Sequence, residues 1–296
     1  MGQKDLTEKN LEYYPDVFAD IVNALLYQGN QIVNAKELLP APTETMYYSQ
    51  KGKLRNQFHD VSKFATKHGV TQIQYTLENE TRASRKMIFR RIGYEGAVYR
   101  EQLDSRSDYP FVGLVLYWGR GKWKQPRSVA EYFSSRELPL ETWKYINDFH
   151  LQVFSMATLP KDVRKRFSSD MRIVVDYLAE GKDYKPSDQR ILHMEAFLLL
   201  MKNLTGDGRY EELWEDLEKD IREGGEITMC ELLDKYWNGG VEEGVQQGIQ
   251  QGIQQGKADA VDTLMVSMSL SLQQACENIG FTIEEYQLAR QIKHMN

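Results

Sequence analysis

Pro110 introduces FVGLVLYW at 111–118, a short, continuous apolar run. Such a run suits a strand buried on both faces, as in α/β cores. Upstream, Val17, Phe18, Ile21, Val22, Leu25 and Leu26 fall at helical spacing between Asp16 and Gln28, with Gly29 as a stop. From Thr43 to Glu80 three β-prone runs follow, ETMYYSQ, LRNQFHDVSKFAT and VTQIQYTLE, punctuated at Lys51-Gly52 and His68-Gly69. They are expected to form three consecutive strands of an antiparallel meander. Met87 to Leu103 is predicted helical, and 141–156 is predicted as a short helix followed by a strand. After Leu159-Pro160 only helical patterns remain, at 169–180, 186–204, 210–222 and 228–236. The expectation is an α/β core over 1–158, a helical extension over 159–238 and a tail over 239–296.

The chain of 296 residues is long enough for at least one full core, and its 41% hydrophobic and 27% charged residues lie in the globular range. Cys230 and Cys276 lie far apart in sequence, without metal-ligand spacing, which argues for a reducing compartment. The charged start carries no signal-peptide stretch, and no segment approaches the roughly 20 apolar residues of a membrane span. A cytoplasmic, non-membrane protein is expected. Leu6 stands where a myristoylation start wants Ser or Thr.

A net charge of −6 argues superficially against nucleic acid, but its distribution does not. Between Arg82 and Arg127 eleven Lys and Arg face four acids, a local +7; between Asp207 and Glu243 thirteen acids face four bases, a local −9. Arg82, Arg85, Lys86, Arg90 and Arg91 are therefore candidate contacts to a DNA backbone. The competing reading is a solvated basic face without a ligand.

Gly240, Gly244, Gly248, Gly252 and Gly256 recur every four residues, each of the first four followed by Val or Ile. On a helix this sets a glycine stripe beside a β-branched stripe. Each glycine costs a helix about 1 kcal/mol relative to alanine, so either a partner helix packs there, giving a homo-oligomer, or the segment is a linker.

Asp60 sits in one expected strand, and Glu78 and Glu80 end the next, projecting to one face because strand side chains alternate. Hairpin pairing across Lys67 to Val70 brings Asp60 toward them. Mg²⁺ prefers oxygen ligands, typically one or two carboxylates with water and phosphate completing the shell. The alternative is that these are ordinary solvated strand-end charges.

DVFADIVNALLYQG at 16–29, LRNQFHDVSKF at 54–64, LENET at 77–81, MIFRRIGYEGAVYREQL at 87–103, YPFVGLVLYWG at 109–119, LTGDGRYEE at 204–212 and the glycine-spaced tail together resemble the recombination-promoting nuclease, or PD-(D/E)XK transposase-like, family of bacteria. The resemblance implies a restriction-endonuclease-like core, a mixed sheet flanked by helices, followed by an all-helical C-terminal extension. It also implies a Mg²⁺- or Mn²⁺-dependent DNA endonuclease acting in recombination or mobile-element biology; low sequence specificity is expected because phosphate contacts position a duplex without reading its sequence. Asp60 is similar to the family's first metal-binding Asp and Glu78 to its second carboxylate. Tyr99 and Gln102 match a helix packed behind the site, Arg90 matches the arginine that opens that helix, and Asp20 is a candidate further acid near the metal. Glu80 departs from the family's usual Gln or Lys. It could bind a second metal or act as general base, or it could weaken phosphate binding, spoil the chemistry and leave a catalytically impaired, DNA-binding and oligomerising protein.

The five histidines show no ligand spacing, and His59 is expected on the strand face opposite Asp60. Gly119-Arg120-Gly121-Lys122 lacks the spacing of a phosphate loop. The tail at 269–292 has the texture of two short helices around Gly280, either a small helix-turn-helix-like module or a helical cap.

Overall fold

The computed structural model describes residues 10–48, 54–58, 60–103, 108–222 and 225–293. They form two compact units that divide between Cys230 and Glu231, so the helices between residues 159 and 222 belong to the same unit as the sheet. His59 lies outside the described residues.

The first unit opens with α1 (Pro15–Leu26), whose Pro15 occupies a first-turn position where the missing N–H is no loss. Its apolar stripe, Val17, Phe18, Ile21, Val22 and Leu25, is buried as the periodicity predicts. The helix ends where Gln28 and Gly29 take positive φ, at 57° and 88°. Asn23 holds the chain beyond that turn: its Oδ1 accepts the N–H groups of Ile32 and Val33 at 3.1 and 2.9 Å, and its amide donates to the Val33 carbonyl.

Among the described residues seven strands follow: β1 (Leu38–Pro40), β2 (Glu44–Tyr48), β3 (Leu54–Phe58), β4 (Val61–Lys67), β5 (Val70–Glu80), β6 (Phe111–Tyr117) and β7 (Gln152–Ser155). Five make a mixed sheet in the order β1-β4-β5-β6-β7, antiparallel from β1 through β5 and parallel from β5 through β7. The expected three-stranded meander is corrected. The run 54–66 is two strands; β3 pairs with β2 in a separate hairpin, and β4 pairs with β5. The break falls at Asp60, which stands in a bend and accepts the Asn79 N–H through its side chain at 2.6 Å. β1, three residues ending in a proline, is too short to show a period and was not expected. The β4–β5 turn is as the sequence suggests: His68 and Gly69, both at positive φ, make the two-residue loop that matches the twist of paired strands.

β6 lies between β5 and β7, with Leu114, Val115 and Leu116 fully buried. The sheet's two faces are covered by different helices. On β5, Thr76, Glu78 and Glu80 meet arginines of α2 (Met87–Gln102). The alternate residues turn the other way: Tyr75 shares a hydrogen bond with Tyr27 just after α1, and Asn79 donates to Glu12 ahead of it.

α3 (Val129–Phe133) precedes β7, and α4 (Lys161–Arg164), α5 (Met171–Glu180), α6 (Met194–Thr205) and α7 (Arg209–Arg222) follow it. The helix expected from 186 starts only at Met194. Residues 189–193 are held otherwise: Ile191 donates to the Ile227 carbonyl, and the Leu192 and His193 N–H groups bond the buried Asp170 carboxylate.

The second unit contains most of α8 (Met229–Ser267), then α9 (Leu272–Ile279) and α10 (Ile283–Lys293). The glycine repeat lies wholly inside α8, a helix rather than a linker. A reciprocal Ser271–Gln274 cap starts α9, and Gly280 at φ 66° ends it, as the tail predicts. Ala258, Val261, Ala275, Cys276, Phe281 and Ala289 form the unit's small core. Among the described residues no helix is long and apolar enough to cross a membrane.

Asp20 joins α1 to the start of α5. Its buried carboxylate accepts five hydrogen bonds of 2.7–3.0 Å from the backbone N–H groups and hydroxyls of Ser168 and Ser169. The expectation that Asp20 adds an acid to the metal site is corrected: both its oxygens are committed to this joint. Removing a buried acceptor strands its donors, so Asp20→Ala is expected to lose roughly 3 kcal/mol of stability. Denaturant midpoints should fall equally in Mg²⁺ and in EDTA; a loss seen only with Mg²⁺ would restore the metal role.

Candidate active site

The sequence LENE at the end of β5 sends Glu78 and Glu80 to one face and Asn79 to the other. Glu78 is 2% exposed, an unusual position for a carboxylate. Its Oε1 accepts a hydrogen bond from Arg90 Nη2 at 2.5 Å, whereas its Oε2 is buried without a hydrogen-bond partner. The other arm of the Arg90 guanidinium, Nη1, binds Glu80 Oε1. One arginine thus forks across both acids of the Glu-x-Glu pair. Tyr94, one turn further along α2, steadies the fork, its hydroxyl accepting from Arg90 Nη2 and Nε at 3.3 and 3.4 Å.

Burial is the largest influence on Glu78 and, with Asp60 and Glu80 nearby, outweighs the opposing pull of Arg90 and Arg91; its carboxyl is pushed up to about 8. Burial is the largest single influence on Arg90 and pulls it down, but Glu78, Tyr94 and Glu80 together outweigh it and hold the guanidinium above its ordinary value.

Asn79, facing away, organises the back of the site. Its backbone N–H holds Asp60 Oδ2, its side-chain amide donates to Glu12 Oε2 at 2.7 Å, and its Oδ1 accepts from Trp118 Nε1 at 2.6 Å. The β4–β5 register, with Val61 opposite Leu77, sets Asp60 at the level of Glu78. Sequence reasoning missed Glu12 and Tyr94. Tyr94 carried a signal, four residues beyond Arg90 and therefore on the same helix face. Glu12 precedes the periodic part of α1 and carried none.

The five basic candidates separate. Arg82, Arg85 and Lys86 are exposed, at the turn into α2. Arg85 lies over the Tyr132 ring at 4.6 Å and donates to its carbonyl. Arg90 belongs to the carboxylates, though its side chain is 43% exposed. Arg91 is corrected: it is 2% exposed and cannot meet a DNA backbone. It donates to Thr76 Oγ1, lies 5.2 Å from the Phe111 ring, and passes so close to Gly113 that a Cβ there would sit 1.2 Å from its Nη2. Tyr99 and Gln102 fasten the end of α2 to the entry of β6. Gln102 bonds both the N–H and the carbonyl of Tyr109, and Tyr99 accepts the Phe111 N–H at 3.3 Å.

Among the described residues no three His, Cys, Asp or Glu side chains form a ready-made metal cluster. The donors that the fold sets together are Asp60 and Glu78, two carboxylates of which one carries a buried oxygen without a hydrogen-bond partner. That set fits a divalent cation that takes one or two carboxylates and fills its shell with water.

A family model with the description "Putative transposase, YhgA-like" matches residues 30–225, which contain Asp60, Glu78, Glu80 and Arg90 but neither Asp20 nor the glycine repeat. No curated protein and no solved structure gives a significant match.

The raised carboxyl predicts a pH dependence. Below about 4.5, its ordinary value, Glu78 is protonated whether the chain is folded or not. Between there and about 8 the unfolded chain gives up the proton first, so stability contributed by protonated Glu78 is lost as pH rises. The slope is at most about 1.4 kcal/mol per pH unit. Denaturant titrations in EDTA should show wild type losing stability over that window relative to Glu78→Gln; a parallel or rising difference would contradict the buried, raised carboxyl.

Proposed function

This chain belongs to the YhgA-like transposase family, and we propose that it is a metal-dependent DNA nuclease of mobile-element or recombination biology. The observation that carries this reading is Glu78, a carboxylate buried in the sheet with one oxygen lacking a hydrogen-bond partner, set beside Asp60. Burying an acid of this kind is costly unless a positive partner neutralises it. A scaffold that retains it at the end of its central strands holds a cation site, as perturbed carboxylates commonly do.

In this reading Asp60 and Glu78 hold Mg²⁺ or Mn²⁺, and Asn79 keeps Asp60 aimed through its backbone N–H. When bound, such an ion acidifies water and offsets the charge that develops on a phosphodiester. Glu80, at the rim of the site, accepts the proton of the attacking water. Arg82, Arg85 and Lys86, exposed at the turn into α2, meet phosphates and position the duplex without reading its sequence. Self-association through α8 belongs to the same reading: Ile249 and Ile253 stand more than half exposed on the glycine-repeat helix. A chain that sediments as a monomer would remove that part.

Supercoiled plasmid incubated with the full chain in Mg²⁺, Mn²⁺, Ca²⁺ or EDTA tests the activity. Nicking is expected with Mg²⁺ or Mn²⁺ only. Even outer partners of a metal's ligands are worth about 10–100-fold, so Asp60→Ala and Glu78→Gln should each lose at least about 100-fold. Glutamates at Arg82 and Lys86 should slow nicking most at moderate salt, where phosphate contacts dominate binding. Nicking that survives in Asp60→Ala would exclude this site. Metal-independent DNA binding without nicking would instead mark a catalytically impaired binding protein.

A further inference from the structure

The position two residues beyond the buried Glu78 is occupied by a third acid, Glu80, and the positive charge of the site comes from elsewhere in the fold. Arg90, in the first turn of α2, reaches across the end of β5 and sets one guanidinium nitrogen on each carboxylate. The two contacts are unequal in setting. Glu78 is 2% exposed and Glu80 14%, while the Arg90 side chain is 43% exposed and so borders solvent at the mouth of the site. The fork occupies Glu78 Oε1 and leaves Oε2 buried without a hydrogen-bond partner.

We propose that Arg90 is a built-in counter-ion that competes with a divalent cation for Glu78 and is kept at the site by Glu80 when the cation takes its place. The inference rests on the metal reading given above and adds to it a reason for Glu80. A carboxylate at the rim gives the displaced guanidinium a second partner, so positive charge stays beside a substrate phosphate instead of leaving for solvent. Arginine suits this role because its fork can release one arm and keep the other, which a lysine's single ammonium cannot do. Tyr94 keeps the side chain on the same arc, since its hydroxyl contacts two guanidinium nitrogens.

Competition makes a statement opposite to that of ordinary structural support: removing Arg90 should tighten metal binding. If the arm is on Glu78 about nine-tenths of the time, apparent affinity is reduced about tenfold. Calorimetric titration of the full chain with Mn²⁺, in the absence of DNA, reads this directly for wild type, Arg90→Gln, Arg90→Lys and Arg100→Gln. Arg100 lies near the other end of α2 and supplies the same change of net charge without touching either carboxylate.

Arg90→Gln is expected to bind Mn²⁺ about tenfold more tightly and to gain more in thermal midpoint on Mn²⁺ addition than wild type does. Arg90→Lys should fall between them, and Arg100→Gln should match wild type. Equal or weaker binding in Arg90→Gln, or an equal gain in Arg100→Gln, overturns the counter-ion and leaves the metal site standing. Absence of Mn²⁺ binding in all four proteins removes the metal reading and this inference together. If Arg90→Gln does not fold, Arg90→Lys decides: tighter binding than wild type supports competition, and equal or weaker binding overturns it.

Discussion

A carboxylate buried at the end of a central strand is the constraint around which this fold is arranged. Glu78 is covered by the sheet and by α2, so its charge cannot be left to water. The neighbourhood answers with two consecutive arginines of different character. Arg90 approaches from the solvent side and touches the acid, while Arg91 lies in the core, beneath the same helix, and acts on Glu78 through the interior. Tyr99 and Gln102 then tie the far end of α2, the helix that carries both cations, to the entry of β6.

Alternation along β5 separates two tasks that would otherwise compete for space. The residues that face α2 carry charge, and Asn79, facing α1, carries the connections to Asp60, Glu12 and Trp118. Asp60 itself needs a break in its strand to reach its partner. The bend that divides β3 from β4 is therefore part of the site, because a continuous strand would have given its side chain a fixed face and no route to the Asn79 N–H.

What the sequence made legible follows from which forces act locally. α1, α2, β5, β6, the His68-Gly69 turn and the two tail helices are written in periodicity, in glycine and in caps. That Asp60 stands level with Glu78 was legible for the same reason, since a two-residue hairpin fixes register. The split of 54–66 was not, because both halves are equally β-prone and the hydrogen bond that holds Asp60 at the break comes from Asn79 on a different strand. Asp20 and Asp170 were opaque on the same ground. Each is an acid on or beside a helix whose partners lie more than twenty positions away in sequence. Arg91 misled because a run of basic residues gives no hint that one of them turns inward; the only trace was Gly113, a glycine inside an otherwise apolar strand.

That glycine carries a consequence for how chains of this type can diverge. The volume a side chain would fill at 113 is taken by the guanidinium of residue 91, so the two positions share one space and 113 can gain a side chain only where 91 gives way. A descendant that trades Arg91 for a small residue opens a hole that Gly113 can then fill with a methyl or larger group, whereas the reverse order passes through a clash. From the present pair, position 91 must therefore change before position 113 can.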